Sequence, residues 1–101
     1  MSSPQEEAQA SVVELVRRIV VALVDDPRKV EFTPVLGERS TVVEIAALPP
    51  EVGQIIGRAG RNIHALQAVA QAVGAKHGLD VQVFVLDRLR GPSGPSGSSG
   101  G

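Results

Sequence analysis

Cysteine, tryptophan and tyrosine are absent from this 101-residue sequence, and phenylalanine occurs only twice, at Phe32 and Phe84. Without cysteine there is no disulfide, no thiolate nucleophile and no zinc knuckle. His64 and His77 stand apart without companion ligands, so neither a metal site nor a cofactor is expected. Two aromatic residues cannot furnish the base-stacking platform of an RRM or OB-type module. Long apolar runs are missing as well. The most apolar stretch, residues 19–24, is far too short to cross a bilayer, and no charged segment leads into an apolar run and a small-residue cleavage site. A cytoplasmic protein with no membrane partner is therefore expected. Nor is there an excess of positive charge: ten Lys and Arg face eleven Asp and Glu, for a formal net charge of -1. Whole-molecule electrostatics cannot drive nucleic-acid binding here, so any such contact must be local. No Gly-x-Ser-x-Gly and no Walker loop occur. The Asp25-Asp26 pair reads as a helix end and not as a catalytic dyad, so the chain is expected not to be an enzyme.

What is present suits one small domain. Hydrophobic residues make up 43% of the chain, mostly Val, Ala, Leu and Ile, enough for a modest core. Residues 91–101 contain only Gly, Pro and Ser. They can bury no apolar area and are expected to be disordered, as a linker or a tag. The expected layout is a loose N-terminus over 1–5, a domain over 6–90 and this tail.

Along the domain, Val12, Leu15, Val16, Ile19, Val20 and Leu23 recur at helical spacing and predict a helix over 6–24. Pro27 ends it. Alternation predicts strands over 29–35 and 40–48, joined by a hairpin turn containing Gly37. A short helix over 50–56 opens on Pro49-Pro50 and stops at Gly57. A second helix starts at residue 60 or 61 and runs to 77, with Ile63, Leu66, Ala70 and Val73 inward and Gly78 past its end. A last strand spans 80–87. The order α-β-β-α-α-β implies an α+β fold: a three-stranded mixed sheet with helices packed on one face.

The sharpest feature is Ile55-Ile56-Gly57-Arg58-Ala59-Gly60-Arg61-Asn62-Ile63. Two glycines bracket two residues between helices. Glycine admits a sharp turn and lets a ligand backbone approach closely. The following helix offers its N–H groups and positive dipole end to an anion. Arg58 at the loop tip can pair with phosphate oxygens. Arg61 lies in the first helical turn, where a cation opposes the dipole unless an anion joins it.

This Ile-Ile-Gly-x-x-Gly-x-x-Ile segment resembles the KH signature, and the element order resembles the type II form of that fold. Together with Ala-Leu-Val-Asp-Asp-Pro at 22–27, it is similar to the small bacterial single-KH proteins of the KhpA family. The resemblance implies a groove between the helix-loop-helix and the last strand, in which the GXXG loop clamps single-stranded RNA. Gly57, Arg58, Ala59 and Gly60 would meet the sugar-phosphate backbone, and Val52, Ile55 and Ile63 would offer apolar surface to bases. Arg61 and His64 stand near the loop, and Lys76 would rim the groove from the variable-loop position. Ala59 departs from the polar or basic residue common there, which removes a phosphate donor. An RNA chaperone or post-transcriptional regulator is implied, along with a larger KH-containing partner protein or a homodimer. Two other classes stay open: a protein-interaction module whose RNA grip is vestigial, and a single-stranded DNA binder.

Overall fold

The computed structural model describes residues 3–93. Its first helix, α1, covers Pro4–Leu23 and begins before the expected residue 6. The reason is local. The Ser3 hydroxyl accepts the Glu6 N–H at 3.1 Å, and the Glu6 carboxylate accepts the Ser3 N–H at 3.0 Å. This reciprocal capping box, with Pro4 in the first turn, brings Pro4 and Gln5 into the helix. The rest of the expected loose N-terminus, Met1 and Ser2, lies outside the described residues. Val12, Val16 and Val20 form the fully buried stripe of α1, while Leu15 and Leu23 are only half-buried. On its exposed side Arg17 and Arg18 both bond to Glu14. Their hydrogen bonds hold the Glu14 carboxyl below its usual value.

Strand β1 covers Glu31–Leu36, two residues later than the sequence pattern indicated. Pro27–Lys29 forms a 3-10 turn instead, because the Asp26 carboxylate accepts the Arg28 N–H at 3.2 Å and Pro27 fixes the first turn position. Strand β2 covers Ser40–Ala47 and pairs antiparallel with β1, Phe32 standing opposite Ile45. Helices α2, Pro49–Ile56, and α3, Arg61–Lys76, follow. Strand β3, Asp80–Asp87, pairs parallel with β2, Val43 opposite Val83. This is the expected three-stranded mixed sheet, extended at one edge. Gly91–Ser93, the start of the Gly/Pro/Ser stretch expected to be disordered, forms a short strand, β4, antiparallel to β3. The Asp87 carboxylate turns the chain there by accepting the N–H groups of Leu89 and Arg90, at 2.9 and 3.2 Å. Residues 94–101 lie outside the described residues. Among the described residues no helix is long and apolar enough to cross a membrane.

The helices cover the face that carries Val43, Ile45 and Ala47 of β2 and Val81, Val83 and Val85 of β3, all buried. The opposite face presents Phe84, 48% exposed, so one of the two aromatic residues contributes little to the core. Gln9 of α1 reaches the hairpin, and its buried amide donates to the carbonyls of Gly37 and Ser40 at 2.9 and 3.1 Å. Across the open face Arg88 pairs with Glu31 and pulls that carboxyl below its usual value.

α3 packs against β3, and Gly74 lets the two elements approach closely. A Cβ built at Gly74 would lie 2.3 Å from Cγ2 of Val81. An ordinary helical Gly→Ala exchange stabilises by roughly 0.8–1 kcal/mol. Here overpacking reverses the sign: Gly74→Ala is expected to destabilise the domain by about 1–3 kcal/mol. Thermal denaturation followed by circular dichroism checks this, and an unchanged or raised Tm contradicts it.

Candidate nucleic-acid interface

α2 ends and α3 begins within four residues. The Gly57 N–H closes the last turn of α2 by donating to the Gly53 carbonyl at 2.9 Å. Gly57 then takes φ 78° and ψ 171°, a region essentially confined to glycine. Arg58–Gly60 makes a single 3-10 turn, in which Ala59 (φ 56°) and Gly60 (φ 75°) are left-handed. The loop is thus bare backbone except for Arg58 and a methyl group, and Arg58 and Ala59 are both exposed.

α3 lacks a side-chain cap at Gly60, whereas α1 caps itself through Ser3 and Glu6. Donors at the first turn of α3 are therefore left for solvent or a ligand. The charges differ in the same way. Arg17, Arg18, Arg28 and Arg88 are each committed to a carboxylate. Among the described residues, Arg39, Arg58, Arg61 and Arg90 have no ion-pair partner and are exposed, and of these Arg58 and Arg61 stand at the loop and the first turn of α3. A net charge of -1 is compatible with a small positive site here, because residues 52–79, around Arg58 and Arg61, contain no Asp or Glu.

The remaining candidates divide by burial. His64 is exposed on the early part of α3, within reach of the same surface as Arg61. Ile55 is fully buried, and Val52 and Ile63 are each only 6% exposed. Ile55 therefore lies in the core beneath the loop, with no exposed surface of its own. The helical spacing that selected it is the spacing of a core stripe. Lys76 occupies the last turn of α3. Fifteen helical steps separate it from Arg61, roughly 22 Å at 1.5 Å per residue. It does not share a phosphate position with Arg58.

Sequence reasoning missed two neighbours. Gly53 lies inside α2 and is exposed, and nothing stands within 4 Å of a Cβ built on it. Packing does not require a glycine there. Its bareness extends the accessible backbone surface one turn back from the loop. Asn62 lies under Gly57, whose added Cβ would fall 2.6 Å from the Asn62 Cγ. An isolated glycine in a helical pattern is a readable signal for the first; only the fold reveals the second.

The family model described as "KhpA/KhpB, KH domain" matches residues 13–85. A protein named "RNA-binding protein KhpA" from Borreliella burgdorferi is 39% identical over 75 residues, covering 74% of this chain and 92% of that protein. The protein of the same name from Clostridium perfringens is 37% identical over 73 residues, covering 72% of this chain and 97% of that one. Among solved structures, Aquifex aeolicus Era bound to GDP.AlF4- superposes with a TM-score of 0.49 at 20% identity, covering 81% of this chain and 33% of the Era chain.

The two glycines on α2 and at its end make opposite predictions. Gly53→Ala meets no atom and should stabilise the fold by roughly 0.5–1 kcal/mol through helix propensity. Gly57→Ala must adopt a strained φ and displace Asn62, and should destabilise it by about 1–3 kcal/mol. Paired urea denaturation curves check the signs. A Gly57→Ala variant as stable as the parent would mean that the loop does not need its left-handed turn.

Proposed function

The chain belongs to the KhpA/KhpB KH-domain family, and from that premise we propose that it is an RNA-binding protein that grips single-stranded RNA by its sugar-phosphate backbone at Gly57-Arg58-Ala59-Gly60. The observation that carries this reading is Arg58: an exposed guanidinium without an ion-pair partner among the described residues, on a nearly bare left-handed loop. In this reading the glycines let the phosphates approach, and Arg58 with the first turn of α3 holds them. The relatives named RNA-binding protein KhpA support the choice of RNA as ligand.

Selectivity for base identity should be loose. Ile55 is buried and Val52 and Ile63 nearly so, which leaves few side chains placed to read base edges. Ala59 contributes no donor. Low affinity per domain follows, and a GXXG loop covers only about four nucleotides. Useful binding then calls for a second RNA-binding unit at high effective concentration. The family resemblance points to a second KH-bearing chain as that unit, either a larger partner or another copy, and a shallow cavity of about 230 Å³ lined by Ile19, Leu23, Asn62, Ala65, Leu66 and Val69 offers a surface for a protein contact. Val69 is 45% exposed there. The cellular role that fits is an RNA chaperone or post-transcriptional regulator in the cytoplasm, with no catalytic step. The cavity also favours the second reading, a protein-interaction module in which the loop has lost its ligand.

Fluorescence anisotropy with a labelled single-stranded RNA, at low and moderate salt, separates the readings. An Arg58→Asp, Ala59→Asp double variant, shown to be folded by circular dichroism, should lose at least tenfold in affinity. Each lost phosphate contact should flatten the log-log salt slope by about 0.7. Equal binding by parent and variant would remove the loop from the mechanism and leave the interaction-module reading. A matched DNA oligomer bound as tightly as RNA would redirect the assignment to single-stranded nucleic acid in general.

A further inference from the structure

We infer that Asp25, Gln54 and Asn62 form a positioning relay that aims the GXXG loop, so that Asp25, a residue outside the loop, contributes to RNA affinity. The inference rests on the reading of the loop as the RNA grip. Asp25 follows α1, Gln54 lies on α2 and Asn62 in the first turn of α3. The Gln54 side chain accepts the Asp25 N–H at 3.0 Å, and its amide donates to Asp25 Oδ2 at 2.9 Å. This closed pair of bonds ties α2 to the end of α1.

The second half of the relay runs through the backbone. α2 ends at Ile56, so the Gln54 carbonyl is among the last of its helix and lacks the usual donor four residues on. Asn62 Nδ2 supplies one at 3.0 Å. The Asn62 side chain lies against Gly57 in the space that a Cβ at Gly57 would occupy. Gly57 and Asn62 are therefore complementary: the missing side chain of one admits the other. The relay fixes the last turn of α2 against the first turn of α3 from outside the loop. Their mutual placement sets where the Arg58 guanidinium and the N–H groups of α3 point.

Asp25 provides the diagnostic because charge and positioning predict opposite signs. Removing an anion from an RNA-binding protein should strengthen binding or leave it unchanged. Removing the side-chain half of the anchor should weaken it. Asp25→Ala deletes the charge and the side-chain acceptor, leaving only the backbone N–H bond to Gln54, whereas Asp25→Asn deletes the charge and keeps an oxygen that can accept from Gln54. Both variants of the full chain are titrated against a labelled single-stranded RNA of mixed sequence. Amide hydrogen exchange at Gly57 and Gly60 is compared with that of Val83 in the core. Asp25→Ala is expected to weaken binding roughly three- to tenfold, in the range for residues acting on a site through others. It should also speed exchange at Gly57 and Gly60 more than at Val83, while Asp25→Asn stays close to the parent in both.

If both variants bind like the parent or more tightly, with loop exchange unchanged, Asp25 is only a surface charge and the relay is wrong. Exchange that rises equally at the loop and at Val83 marks a general loss of stability and overturns it too. Should the parent itself fail to bind RNA, the RNA reading falls, and exchange alone decides the relay. Selective loop opening in Asp25→Ala, absent from Asp25→Asn, then supports it, and no selective opening refutes it.

Discussion

Between α2 and α3 the chain turns over Gly57, Arg58, Ala59 and Gly60, and three of those four take positive φ. L side chains resist that region through contact of Cβ with the neighbouring carbonyl, at about 1–2 kcal/mol for a residue such as Ala59. Two glycines make the turn possible, and the bonds on either side hold it. The Gly57 N–H closes α2, the Gly60 N–H donates to the Gly57 carbonyl at 3.0 Å, and Asn62 satisfies the Gln54 carbonyl. The same conformation that turns the chain strips the loop of side chains. It also exposes the first turn of α3 without a side-chain cap. The fold and the site thus share one cause, and a residue that relaxed the loop by straightening it would remove both.

The core beneath this loop is built largely from small side chains. Val, Ala and Ile dominate the buried positions, and Gly74 lets α3 press against Val81. A core of this kind brings helices and strands close together and depends on tight packing. It also keeps α2 and α3 on one face of the sheet. The parallel pairing of β2 with β3 requires a crossover, and the α2-loop-α3 unit is that crossover. The site sits in the connection that the sheet topology demands.

Charge is organised by pairing and not by excess. Glu14 takes two arginines, Asp26 takes Arg28, and Glu31 takes Arg88 across the open sheet face. Each of these carboxyls is held below its usual value by its arginine's hydrogen bond. Such exposed pairs add little to stability. These pairs cancel charge locally, whereas Arg58 and Arg61 lie in a stretch, residues 52–79, that contains no Asp or Glu. That arrangement favours a weak, local grip on phosphates over attraction of nucleic acid at long range.

Periodicity alone determined the order of elements, the mixed sheet and the inner residues of α1 and α3, because burial of one helix face or one strand face leaves a direct mark on the sequence. The spacing of Gly57, Arg58 and Gly60 likewise identified the loop, since its backbone conformation restricts residue choice. Some boundaries were also written locally. The capping box of Ser3 and Glu6 and the Asp26-Pro27 turn account for the early start of α1 and the late start of β1. Other properties belong to the tertiary structure alone. Ile55 and Val52 share the apolar pattern of a groove floor and of a core, and only packing places Ile55 wholly inside. The Gly91–Ser93 pairing depends on an edge that β3 offers, not on any propensity of Gly, Pro and Ser. The contacts joining Asp25 to Gln54 and Gln54 to Asn62 span 29 and 8 residues of chain. No local pattern encodes them, because each partner's geometry exists only after the helices have docked on the sheet.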